Sequence, residues 1–83
     1  MNNQEEYKAL REELIEHYRK ELAYIYTHHD RPPVEYYEPI QTLIPQLIIH
    51  LAGRELREVL SDCWKIAWIR EPTCHPNVRY NEH

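Results

Sequence analysis

The sequence predicts an all-α fold: two long helices in a helical hairpin, with a second copy of the chain completing a bundle. Three observations carry this. Tyr7, Leu10, Leu14, Tyr18, Leu22 and Ile25 advance 18 residues in five steps, which matches the 3.6-residue period of one face of an α-helix. A single glycine in 83 residues argues against a tight-turned β-fold, whose hairpins need residues at positive φ. The stretch from Leu47 to Arg70 carries apolar residues at helical spacing and no cluster of turn residues.

The first helix is bounded on both sides. Asn3 is placed to cap its N-terminus, with Glu6 three residues on to complete a capping-box pair. Ile15, Ala23 and Tyr26 widen the apolar stripe. Glu5, Lys8, Glu12, Glu16 and Lys20 form the opposite face, with Glu16 four residues before Lys20 in the favourable order. Acidic residues at the start and His28 and His29 at the end both suit the helix dipole. Pro32 and Pro33 cannot continue the helix, so it stops near His28.

Residues 30–38, DRPPVEYYE, are expected to connect the helices, with Tyr36 and Tyr37 set between Glu35 and Glu38 on this linker. Helix resumes at Pro39, since a first helical position does not need the missing N–H. Pro45 either kinks the second helix or starts it afresh. Gly53 offers two readings. A glycine just past a C-terminus is the usual helix end, and a break there gives three helices. Against that, Arg54-Glu55-Leu56 holds no Ser, Thr, Asp or Asn to cap a new start, and an interior glycine costs only about 1 kcal/mol. The sequence therefore favours one continuous helix over roughly residues 45–70. Glu71-Pro72 ends it. Residues 1–71 then form a single helical domain, and 72–83 an irregular C-terminal tail with little apolar content.

A helix of about 25 residues is about 37 Å long, whereas a compact chain of this size is roughly 30 Å across. Two helices also leave part of each apolar stripe uncovered. Trp64 and Trp68 lie beside the Leu60–Cys63–Ala67 row, and with Ile66 and Ile69 they make this helix apolar nearly all round. Such a helix needs cover on several sides. Homodimerisation into a four-helix bundle supplies it. The alternative is a three-helix bundle broken at Gly53, with the tail laid over the tryptophans.

Composition narrows function by exclusion. A formal charge of −4 with thinly spread Arg and Lys disfavours a nucleic-acid binder, which needs a basic stripe. No run approaches the ~20 apolar residues that cross a bilayer. The acid-rich polar face of the first helix is wrong for a membrane surface. MNNQEEYK lacks a signal-peptide pattern, and Cys63 and Cys74 have no CxxC spacing. Free thiols and a cytoplasmic location are expected. Ser61, Cys63 and Cys74 have no adjacent base in a productive arrangement and no glycine-rich turn beside them, so no catalytic residue, enzymatic activity or cofactor is assigned.

Two function classes remain. Tyr36, Tyr37, Trp64, Trp68, Arg70, Arg79 and Tyr80 are of the types that dominate interface hot spots. They point to a non-catalytic interaction or regulatory module that binds a larger protein, for instance as an acidic inhibitor or accessory subunit. The alternative is a small metal- or redox-responsive protein using Cys74, His75 and a further Cys or His, although paired zinc-ligand spacings are lacking. Protein purified without chelator is expected to carry no stoichiometric metal and to melt at the same temperature with EDTA. A chelator-dependent fall in Tm would favour the second class.

Overall fold

The computed structural model describes residues 3–75, with side chains from Gln4 onward. Three helices, α1 (Asn3–His28), α2 (Val34–Ile49) and α3 (Leu56–Arg70), are followed by a 3₁₀ turn, Pro72–Cys74. The expected Asn3 side-chain cap lies outside the described residues.

α1 ends where the sequence places its end. His29 takes a left-handed conformation (φ 55°), and its N–H donates to the Ile25 carbonyl at 2.8 Å, closing the last turn as C-terminal caps do. Asp30 Oδ1 then accepts from the Arg31 N–H at 2.7 Å.

The connection is shorter than the sequence suggests. α2 begins at Val34, so Tyr36 and Tyr37 lie in its first turn rather than on a linker. Extended Pro33 (φ −67°, ψ 167°) stands at the N-cap, and its carbonyl accepts from the Tyr36 N–H at 3.0 Å. Its fixed φ leaves the next residue free to start a helix. Pro39, expected at the first helical position, is in the second turn, and α2 continues through Pro45 as one helix. Each proline removes a backbone donor four residues after a carbonyl. The carbonyls concerned are those of Glu35 and Gln41, both exposed residues on the outer side of the helix.

The largest departure is at Gly53. The continuous helix over 45–70 does not form. α2 stops at Ile49, and Ala52 (φ 52°) and Gly53 (φ 89°) both take positive φ. The Arg54 N–H donates back to Leu51 at 3.1 Å, tightening the turn. α3 then starts from Glu55 with no side-chain cap at all. The missing cap residue was therefore a poor guide. The reversal is set by two successive left-handed residues, the second of which only glycine adopts without strain.

That reversal returns α3 onto α1. Leu14, Ile15 and Leu22 of α1 meet Ile40, Leu43 and Leu47 of α2, Val59, Cys63 and Ala67 of α3, and Cys74 of the 3₁₀ turn in one buried core. α2 runs antiparallel to α1: Tyr36 lies against Tyr24 at one end, and His50 is 3.6 Å from Glu6 at the other. The start of α3 is held by Arg54, over the Tyr7 ring at 5.0 Å. α2 and α3 both pack chiefly on α1 and little on each other. The longest extent of the molecule is 45 Å, and the 26 residues of α1 span about 39 Å. The chain thus closes its own core with three helices, and a hairpin of two long helices is not what forms.

Nothing lies within 4 Å of a Cβ built on Gly53, so substitution there tests backbone strain without a clash. Gly53→Ala is expected to lower stability by about 1 kcal/mol, and Gly53→Asn by less. Both are read as a shifted urea midpoint at unchanged m.

Candidate functional site

The residues expected to bind a partner separate in the structure. Trp64 is half-buried and sets its ring edge-on to Tyr18, with centroids 5.0 Å apart and planes at 84°. It serves the core. Arg70 pairs with Glu12 at 2.9 Å and fastens the end of α3 to α1. Tyr36 leans on Tyr24 at 5.2 Å, and Tyr24 in turn stacks on His28 at 4.0 Å. Tyr37 is half-buried. Arg79 and Tyr80 lie outside the described residues.

Trp68 differs. Its side chain remains 39% exposed, yet it is held on two sides. Its Nε1 donates to the Tyr26 hydroxyl at 3.0 Å. The His75 ring meets it edge-on at 4.2 Å, while His75 Nε2 donates to the Trp68 carbonyl at 2.8 Å. The residue after the 3₁₀ turn thus folds against Trp68, as the three-helix alternative anticipates. Ile69, 67% exposed, follows it on α3, and Tyr26, 41% exposed, flanks it from α1. Sequence reasoning placed Tyr26 on the helix 1 stripe and Ile69 within an all-round apolar helix. Only the position of the helix neighbours shows that both face outward.

What positions His75 is a clasp around Glu71. This carboxylate, nearly buried at the end of α3, accepts from the Thr73 hydroxyl at 2.7 Å, the Thr73 N–H at 3.2 Å and Arg19 Nε at 3.4 Å. Burial pushes its pKa up, but the Thr73 hydroxyl and amide and the Arg19 guanidinium outweigh burial and hold it below 4.5. Arg19 also reaches Glu16 at 3.3 Å. The clasp shapes the 3₁₀ turn, seats Cys74 in the core and delivers His75 to Trp68.

Two other acidic groups, both on α1, are under different control. The hydrogen bond from Arg70 holds Glu12 below its ordinary range, against the opposing effect of burial. Glu21 is buried and burial raises it. Beside it, burial, aided by the Glu21 charge, pushes the Tyr18 hydroxyl up to about 12.

Cys63 and Cys74 are free and buried. Burial raises both thiols, and the Glu71 charge adds to the effect at Cys74. A buried thiol held protonated is a poor nucleophile and a poor ligand. With Cys74 in the core and His75 bonded to a carbonyl, the pair is not presented to a common ligand. Among the described residues no group of three or more His, Cys, Asp or Glu is placed to hold a metal ion. No helix among them is long and apolar enough to cross a membrane. The side chains exposed at this end of the molecule are an oriented indole, a phenol and an aliphatic group: Trp68, Tyr26 and Ile69. Comparison of the chain with protein-family models, curated proteins and solved structures finds no match.

The clasp makes a pH-dependent prediction. A carboxylate lowered on folding stabilises the fold above its unfolded value of 4.5, and that stabilisation is lost as pH falls through the folded value. Glu71→Gln is expected to cost about 1–2 kcal/mol at neutral pH and progressively less below pH 4.5. Glu21 has the opposite sign, since its raised pKa weakens the fold as pH rises. Glu21→Gln is expected to stabilise the neutral protein. Urea titrations across pH for both variants check the pair.

Proposed function

We propose that this protein is a non-catalytic interaction module of the cytoplasm that docks on a larger protein through Trp68, Ile69 and Tyr26. The observation that carries the reading is the state of Trp68: exposed, but already held in place by Tyr26 and His75. A large amphipathic side chain fixed before binding loses little rotamer freedom when it is covered, so more of its burial appears as affinity. Tryptophan is also the residue type most enriched at hot spots. The acidic balance of the chain, −4 overall, fits a partner with a basic surface, which such a module would occlude as an inhibitor or complete as an accessory subunit.

Homodimerisation belongs to this reading on different grounds from those in the sequence. Three helices fill the interior, so a second chain has no core to complete. A homodimer in this reading forms on the Trp68–Ile69 face and competes with the larger partner for it. The metal- or redox-responsive alternative draws no support from the placement of Cys74 and His75.

The experiment compares the tagged wild-type chain with Ile69→Ser and with Trp68→Ala/Ile69→Ser, captured from the native host. Exposed substitutions of this kind change stability by about 0.5 kcal/mol or less. Ile69→Ser is therefore expected to keep the wild-type Tm and circular dichroism while partner recovery falls. Recovery of the same proteins by all three chains would sink the proposal. Light scattering on the same samples reads self-association against the 10.2 kDa chain. Tyr36→Ala/Tyr37→Ala is expected instead to lower stability, since both tyrosines lie in the first turn of α2 and are partly covered.

A further inference from the structure

An antiparallel helix pair has a groove on each side. α3 packs on one side of α1. On the other side the seam between α1 and α2 stays open at one end, as a groove of about 350 Å³. It is lined by Glu6, Ala9, Leu10 and Glu13 of α1, by Gln46 and Ile49 of α2 and by His50 just after it, and no residue of α3 reaches it. The α1 residues fall at i, i+3, i+4 and i+7, and the α2 residues at i and i+3, so each helix offers one straight row. Ala9 leaves the space between the rows unfilled. Two facing rows with a gap between them are the receiving surface for the ridge of a third helix.

The chemistry of the groove narrows what that helix is. Its floor is apolar: Ala9, Leu10 and Ile49. Ile49 is 78% exposed, the highest value among the large apolar side chains left open to solvent. Its rim is acidic and undercompensated. Glu12 and Glu16, elsewhere on α1, are paired with Arg70 and Arg19. Glu13 has no ion pair or hydrogen bond among the described residues, and Glu6 has only the His50 ring, at 3.6 Å. The unneutralised charge of Glu13 therefore borders an apolar trough that α3 leaves open.

We propose that this groove docks an amphipathic helix of a partner protein. The helix presents one aliphatic row to Ala9, Leu10 and Ile49, with Lys or Arg on either side meeting Glu6 and Glu13. Helix-in-groove recognition of this type takes its affinity from the apolar row and its selectivity and on-rate from the charges. A second copy meeting the groove by its own groove would set Glu6 and Glu13 against themselves, which disfavours self-docking there. The surface shares no residue with the Trp68 face, so either can fail without the other.

The probe is a labelled helical peptide of about 14 residues, with leucines at helical spacing on one face and lysines on the other. Its companion carries glutamate in place of lysine. Binding to the full chain is read by fluorescence anisotropy at about 0.15 M salt. The lysine peptide is expected to bind and the glutamate peptide not. Ala9→Leu, which fills the groove without changing charge, Ile49→Ser, and Glu6→Gln/Glu13→Gln are each expected to weaken binding about tenfold or more. All these positions except Leu10 are at the surface, and an unchanged Tm confirms that each variant is folded. Ile69→Ser, on the other face, and Glu55→Gln/Glu58→Gln, which removes the same charge at the start of α3, are expected to leave binding unchanged. Equal binding of the glutamate peptide, or an equal loss in Glu55→Gln/Glu58→Gln, would overturn the proposal in favour of unspecific attraction. Self-association abolished by Ile49→Ser would overturn it in favour of a second copy.

Discussion

The structure depends on one surface, the face of α1 formed by Leu14, Ile15 and Leu22. α2, α3 and the 3₁₀ turn all pack on it, and α2 and α3 do not replace it with extensive packing on each other. A chain of this length buries a modest fraction of its surface, so a single shared platform is an economical way to reach a closed core. Small side chains let α3 approach: Cys63 and Ala67 are both fully buried on the side that meets α1. Two polar pairs, Arg70 with Glu12 at the surface and Arg19 with the buried Glu71, then fix α3 and the turn after it. An exposed pair such as Arg70–Glu12 contributes little stability by itself, whereas Glu71 is buried. The effect of both pairs here is positional, since they determine where His75 and Trp68 come to rest.

How much of this was legible in the sequence depends on the element. α1 was, because its apolar period is unbroken from Tyr7 to Ile25 and Pro32-Pro33 leaves no doubt about its end. The start of α2 was not. Proline usually opens a helix, and Pro39 was a credible start, but tertiary contact of Tyr36 with Tyr24 and burial of Ile40, Leu43 and Leu47 support a helix that already contains it. Gly53 carries two conflicting signals, and the missing cap residue points to the wrong one. Absence of a capping residue raises the cost of a helix start by about 1 kcal/mol. The gain from laying Val59, Cys63 and Ala67 on α1 is larger, at about 1 kcal/mol or more for each buried side chain. Local propensity does not see that gain.

The candidate surfaces were legible in composition and not in arrangement. Aromatic residues and arginine marked Trp64, Trp68, Tyr36 and Arg70 alike. Periodicity cannot tell an exposed tryptophan from a half-buried one four residues away, because the difference lies in where Tyr18 and Tyr26 of another helix stand. The α1–α2 groove left no trace in the linear pattern. Ile49 stands out in no apolar row of the sequence and Glu6 reads as a capping residue, until α2 is set antiparallel to α1 and the two rows face each other.

The long separations closed by α3 bear on how the chain acquires its shape. Trp68 meets Tyr26 across 42 positions, Glu71 meets Arg19 across 52 and Arg70 meets Glu12 across 58. For an all-α domain these are distant contacts, and distant contacts slow folding because loop closure precedes any reward. During synthesis α1 emerges first and waits, with part of its apolar face open, until α3 has followed. The oriented Trp68 surface comes into being only with that last closure. A partner that recognises it therefore recognises completed molecules and passes over chains still in the making.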